Sequence, residues 1–212
     1  MQNNSGRARA FTLIELIVVI TMIIILVGLL FPAFRGVQDQ AKRTQAKNDL
    51  TQIVTAVNAF YTEYGRYPTS ATTDTIYGPG GASSNAVILN ELRAANTYTL
   101  NTRQIVFISP PDVKDPNNPR SGIASKTTTV NGITVNQYDF VDPWGTPYNV
   151  EIDGDYNNQI TTNPYPDTDG SAGATPLRQG VIAWSYGSDQ TKATKSPPSN
   201  TYKGSDDVIS WQ

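Results

Sequence analysis

The chain has 212 residues, with 16 Lys+Arg against 18 Asp+Glu, and its net charge of −2 offers no overall basic field for nucleic acid. It has no cysteine and no histidine, which excludes disulfides, Cys/His zinc sites, thiol nucleophiles and histidine-based triads. The length allows one globular domain plus an accessory segment.

The first ten residues carry Arg7 and Arg9 and no acid. From Phe11 to Phe34 there follow 24 residues with one ionisable side chain, Glu15. As a helix at ~1.5 Å per residue this run would extend ~36 Å, slightly more than the ~30 Å hydrocarbon core of a bilayer. A secretory signal peptide has a shorter apolar region with its small-residue cleavage site after it. Here the small residue, Ala10, comes before the run. The arginines predict a cytoplasmic N-terminus, with the bulk of the chain outside.

A charge within a spanning segment costs roughly 2.5–3.5 kcal/mol at the centre and less near an end. Glu15 lies shallow, one turn in, and could snorkel to the headgroups; intramembrane carboxylates are nevertheless usually functional. A cut between Ala10 and Phe11 would create a cationic α-amino group four residues from Glu15, on one helical face. That group could meet the same Glu15 or the Glu15 of a neighbouring copy. Pairing two charges that are costly alone would favour assembly in register.

Beyond Pro32 the pattern turns amphipathic. Phe34, Val37, Ala41, Leu50, Ile53, Val54, Val57, Phe60, Tyr61 and Tyr64 recur at three- and four-residue steps, with Asp39, Lys42, Arg43, Lys47 and Asp49 on other faces. The helix is expected to stop at Gly65-Arg66-Tyr67-Pro68, with Gly65 as cap and Pro68 beyond it. One helix over 12–64 would be ~80 Å long, with a kink or local unwinding possible at Pro32.

After Tyr67 the composition shifts to Gly, Pro, Ser, Thr and Asn. Residues 69–85 read as a flexible loop, 86–95 as a short helix and Gln104–Ser109 as a short buried strand. TTTVNGITV offers two β-prone runs around Asn131-Gly132, the strongest short hairpin signal. Further strands are predicted at Tyr148–Ile152 and Gly180–Tyr186. The expected class is α+β, a small antiparallel sheet packed on the outer helix.

Asp153-Gly-Asp155-Tyr-Asn157 imitates the start of an EF-hand loop but fails at its sixth position, Asn158, and its twelfth, Pro164. These acids, with Asp167 and Asp169, read as solvated turn carboxylates. No nucleophile motif, phosphate loop or basic aromatic patch occurs, so no enzyme activity is expected. Residues 187–206 have too little apolar surface to order themselves, yet Ile182, Trp184 and Tyr186 precede them and Val208, Ile209 and Trp211 follow. A hard cation held by carboxylate and carbonyl oxygens would close that loop; the alternative is three solvated acids in a loose tail.

The stretch RARA-FTLIELIVVITMIIILVGLLFP resembles the class III leader of type IV pilins and type II secretion pseudopilins. The shared pattern is a short basic leader, a small residue, Phe, Thr-Leu-Ile-Glu-Leu and an apolar helix, with Glu15 fifth and Pro32 twenty-second in the mature chain. The departure is Ala10, where that family nearly always has Gly. DPWGTPY (142–148) matches a turn typical of the major pseudopilins. The stretch from Tyr186 to Trp211 resembles their calcium-binding loop, with its Asp-Asp-hydrophobic-hydrophobic-Ser-Trp ending. Together the matches cover roughly 7–68 and 138–212, leaving 69–137 as an elaborated surface.

The resemblance implies a leader peptide (1–10), a transmembrane and filament-core helix (11–34), an amphipathic outer half (35–64) and a globular head (65–212). It implies cleavage between Ala10 and Phe11 by a prepilin peptidase that also methylates Phe11, and an assembly role for Glu15. It implies calcium held by Asp189, Asp206 and Asp207 with the Tyr186 carbonyl and, more weakly, Ser205. The expected protein is a single-pass inner-membrane subunit with a periplasmic head. It would polymerise with itself and minor pseudopilins on an inner-membrane platform to drive protein export. A type IV pilin for adhesion or motility, and a membrane-anchored monomeric binding module or enzyme, are the alternatives.

Overall fold

The computed structural model describes residues 11–95, 99–167, 169–193 and 202–212. The chain divides into two compact units, Met1–Ala41 and Lys42–Gln212. Helix α1 runs from Leu13 to Tyr64. Its start is fixed by Thr12 and its end by Gly65, whose φ of +66° and N–H bond to the Tyr61 carbonyl (2.8 Å) close the last turn. Among the described residues no helix is long and apolar enough to cross a membrane. Residues 1–10, where the leader and Ala10 are expected, lie outside the described residues, as do 194–201 of the C-terminal loop.

In the second unit α1 buries Ala46, Leu50, Ile53, Val57 and Phe60, a stripe stepping by three and four. The expected stripe began earlier, but Phe34, Val37 and Ala41 are exposed. The main sheet orders its strands β1 (Thr75–Tyr77), β6 (Asn149–Ile152), β7 (Val181–Ser185) and β8 (Val208–Ile209), all antiparallel. One face presents Tyr77, Val150, Ile152, Val181, Ala183 and Val208 to the core shared with α1. The other presents Ile182, Trp184 and Ile209 to a second core closed by Ile160, Tyr165, Ala172 and Leu177. The strand period of two thus serves two apolar layers at once.

Two small ribbons complete the unit: β2 (Gly122–Ile123) with β5 (Phe140–Val141), and β3 (Thr128–Val130) with β4 (Ile133–Val135). The β3–β4 turn is the expected Asn131-Gly132, with φ of +51° and +81° as a two-residue type I′ turn requires. The short helix is α2 (Ala86–Leu92).

Three expectations are corrected. Residues 69–85 contain β1, an edge strand on β6, and Gly81 sits so close that a Cβ would lie 2.0 Å from the Ile76 carbonyl oxygen. Gln104–Ser109 forms no strand, because the N–H groups of Phe107 and Ile108 both go to the Leu92 carbonyl at the end of α2. The 69–137 region is also more than surface: Tyr77, Ile88, Leu89, Leu92, Ile108 and Ile123 belong to the main core.

Candidate functional site

At the N-terminal site, Thr12 is the N-cap of α1 and Glu15 its third residue. Thr12 donates its N–H (2.9 Å) and hydroxyl (2.7 Å) to Glu15 Oε2, and Glu15 returns its N–H to Thr12 Oγ1 (3.3 Å). This is a reciprocal capping box, and the Thr-x-x-Glu spacing that announces it is plain in the sequence. The cap is a second role for Glu15 beside the charge expected to govern assembly. Phe11, just outside the cap, is exposed. From Leu13 to Val27 every large apolar side chain of α1 is exposed as well.

The C-terminal site is built by the ladder between β7 and β8, which pairs Trp184 with Ile209 and Ser185 with Val208. That pairing brings Asp189, near the start of the loop, against Asp206 and Asp207 at its end. Carboxylate oxygens of the three lie within 4.8 Å of one another. Gly187 makes the approach possible: φ is +69°, and a Cβ there would stand 2.3 Å from the Asp206 carbonyl oxygen.

Within the cluster Asp206 Oδ2 accepts the Ser188 hydroxyl (2.6 Å) and the Asp189 N–H (2.8 Å). Burial pushes the Asp206 carboxyl up, but those hydrogen bonds hold it below its usual value. Asp207 is only 3% exposed; its Oδ2 accepts the Ala193 N–H (3.0 Å), while Oδ1 has no hydrogen-bond partner. Burial, against the Ala193 N–H and the neighbouring Tyr165 hydroxyl, which stands outside hydrogen-bond geometry, pushes its carboxyl up to about 6. Asp206 and Asp189 add like charge beside Asp207, a smaller push on its carboxyl than burial.

A hard cation with oxygens at ~2.4 Å would put opposite ligands ~4.8 Å apart, so the spacing and the unsatisfied Asp207 oxygen both fit one. Of the other expected ligands, Ser205 is engaged locally, its hydroxyl accepting the Asp207 N–H (3.3 Å), and the Tyr186 side chain is buried.

The DPWGTPY turn supports this loop from below. Asp142 Oδ1 accepts three N–H groups, from Trp144, Gly145 and Thr146, and its Oδ2 accepts the Ser185 hydroxyl (2.5 Å) at the end of β7. Gln190 in the loop donates to the Trp144 carbonyl (2.8 Å). Trp144 itself is buried in the core.

A second acidic group unites Asp74, Asp153 and Asp155. Asp153 takes the N–H groups of Asn157 and Asn158, and Asp155 takes the backbone and side-chain N–H of Asn157. Asp74 accepts the Thr161 N–H with one oxygen and leaves the other buried without a partner. The expectation of solvated turn acids fails for Asp153 and Asp167, which are buried. Asp167 fastens the far end of the C-terminal loop, accepting the N–H groups of Tyr202 (2.9 Å) and Lys203 (3.0 Å).

No protein-family profile matches the chain, and no solved structure matches it significantly. Three named proteins are similar over part of their length. The type IV major pilin protein PilA of Myxococcus xanthus (strain DK1622) is 41% identical over 61 residues, 29% of this chain and 28% of that protein. The type II secretion system core protein G of Pectobacterium carotovorum subsp. carotovorum is 33% identical over 73 residues, 32% and 47% of the two chains. Its counterpart in Klebsiella pneumoniae is 34% identical over 64 residues, 30% and 46%. The chain therefore spans less than half of each relative. All three are named as pilin or secretion components and none as an enzyme, and the observed helix and antiparallel sheet are compatible with a pilin-like α+β fold. The chain is thus similar to the type IV pilin-like superfamily and, through the core protein G relatives, to the major pseudopilins of type II secretion.

Proposed function

We propose that the chain is a structural subunit of a type II secretion pseudopilus, without enzyme activity. The observation that carries this reading is the first part of α1. Apolar side chains stand exposed on all sides from Leu13 to Val27, and the one carboxylate, Glu15, sits at the capped start. A helix apolar all round must be covered, by lipid or by other helices of its kind. In this reading residues 11–34 anchor the precursor in the inner membrane with the head in the periplasm. A prepilin peptidase cuts between Ala10 and Phe11 and methylates Phe11, and an assembly platform stacks copies with minor pseudopilins. Glu15 then meets the Phe11 amino group of a neighbour inside the filament core.

The head carries calcium, held by Asp189, Asp206 and Asp207 with the Tyr186 carbonyl as a backbone ligand and Ser205 as a further oxygen. The ion fixes the loop between β7 and β8 on the filament surface. The whole reading is tested in a cell with an active prepilin peptidase. Protein recovered from sheared filaments should begin at Phe11 in an intact-mass spectrum and carry one added methyl group. A chain that keeps Met1 and stays monomeric in the membrane would overturn it.

A further inference from the structure

Glu151 occupies the middle of β6 on the sheet face turned away from α1. Its cross-strand neighbours are Ile76 on β1 and Ile182 on β7, so the sequence places a carboxylate in the centre of an apolar layer. It is 4% exposed, and its Oε2 is buried with no hydrogen-bond partner. A buried unpaired acid is costly unless something compensates it. Beside it lies a cavity of about 350 Å³, which Glu151 lines together with Ile76, Pro164, Trp184, Tyr186 and Lys192. That volume is at the small end of ligand pockets, ~300–1,000 Å³, and the composition is typical of them: apolar and aromatic walls with a few polar groups.

The charges facing Glu151 are Asp74, before β1, and Lys192, in the C-terminal loop. Lys192 acts on Glu151 through space. Among the described residues no direct ion pair joins them, and the Lys192 ammonium stands over the Tyr165 ring, 5.5 Å from its centroid. Asp207 attracts that ammonium as well. Where Glu151 is ionised, the cavity thus has a carboxylate at its floor and flat aromatic and proline surface on its walls.

We propose that this cavity binds an organic cation, an alkylguanidinium or alkylammonium group, with its charge against Glu151 and its aliphatic stem along Trp184, Tyr186 and Pro164. A planar guanidinium suits such walls, since it stacks on aromatic faces and is weakly hydrated. The cation is either a free small molecule or the arginine of a protein partner.

The full chain in detergent micelles, labelled with ¹⁵N, is titrated at pH 8 with n-butylguanidinium, with neutral n-butylurea as its near-isostere. The Trp184 indole signal should shift saturably with the guanidinium and not with the urea. Glu151→Gln should weaken binding at least tenfold, and Lys192→Ala, which removes a competing cation, should leave it equal or tighter. Burial, with Asp74 adding to it, pushes the Glu151 carboxyl up to about 7, so wild-type affinity should fall about tenfold between pH 8 and pH 6. The peptide acetyl-Gly-Arg-Gly-amide separates the sources: binding at least as tight as butylguanidinium supports a protein arm, and no peptide binding supports a free cation. No saturable shift at pH 8, equal response to the urea, or loss of binding in Lys192→Ala overturns the proposal. The urea and pH arms use the unmodified protein and stand even if Glu151→Gln fails to fold.

Discussion

Asp142 Oδ1 accepts three backbone N–H groups while its Oδ2 holds the Ser185 hydroxyl, and the residue is fully buried. Removing the acceptor leaves the buried Trp144 and Thr146 N–H groups unpaired, at about 1–3 kcal/mol each and less than additively. Asp142→Ala should therefore destabilise the head by about 3–5 kcal/mol in a denaturant titration, and Asp142→Asn, which keeps one acceptor oxygen, by less. A loss under about 1 kcal/mol for the alanine variant would show the turn to be held by other means. Glu151 makes the opposite case, a buried carboxyl with too few partners. Its folded value, about 7, exceeds the usual 4.5, so between those limits the folded chain binds more protons than the unfolded one. Stability must then fall as pH rises through that window, by roughly 2–3 kcal/mol at ~1.36 kcal/mol per pH unit. Calcium-free protein should melt lower at pH 8 than at pH 5, and Glu151→Gln should flatten that slope. An unchanged slope in the variant would assign the effect to other acids.

Among elements, α1 shows how one residue can carry two roles that a single substitution confuses. Glu15→Ala removes both the charge and the capping box with Thr12, and loss of a cap alone costs about 0.5–2 kcal/mol at the helix start. Glu15→Gln keeps a capping acceptor and loses only the charge. If the charge governs assembly, both variants should fail to form filaments while the glutamine variant retains helix content by circular dichroism; filaments from Glu15→Gln would make the residue a cap. The Asn131-Gly132 hairpin and the helix end at Gly65 were legible because local backbone geometry demands those residues. β1 was not, since three residues in a polar loop become a strand only where β6 offers an edge. Gln104–Ser109 reads as a buried strand by composition, but the carbonyl that ends α2 captures its N–H groups. In the candidate calcium site, resemblance alone singled out the three acids. The pairing of β7 with β8 that gathers them is a long-range fact no local pattern carries.

In the head as a whole, one sheet separates two apolar layers, and the second is closed by loops with little regular structure. Such a layer depends on what fastens its loops. Asp167 holds Tyr202 and Lys203 at one end, and Asp142, through Ser185, and Gln190 hold the other. Between them stand the mutually repelling Asp189, Asp206 and Asp207. A cation that binds this cluster only when the loop is folded stabilises the folded state by RT ln(1 + [L]/Kd), about 2.7 kcal/mol at a hundredfold excess over Kd. For a chain of this size that corresponds to about 5–10 °C in melting temperature. Calcium should produce a shift of that order, chelator should reverse it, and Asp207→Asn should remove it. Asp155→Asn in the other acidic group should leave it intact, because Asp155 is already satisfied by Asn157. A calcium shift that survives Asp207→Asn but vanishes with Asp155→Asn would move the ion to the Asp74 group. Absence of any shift at millimolar calcium in a folded head would leave the loop fastened by its hydrogen bonds alone.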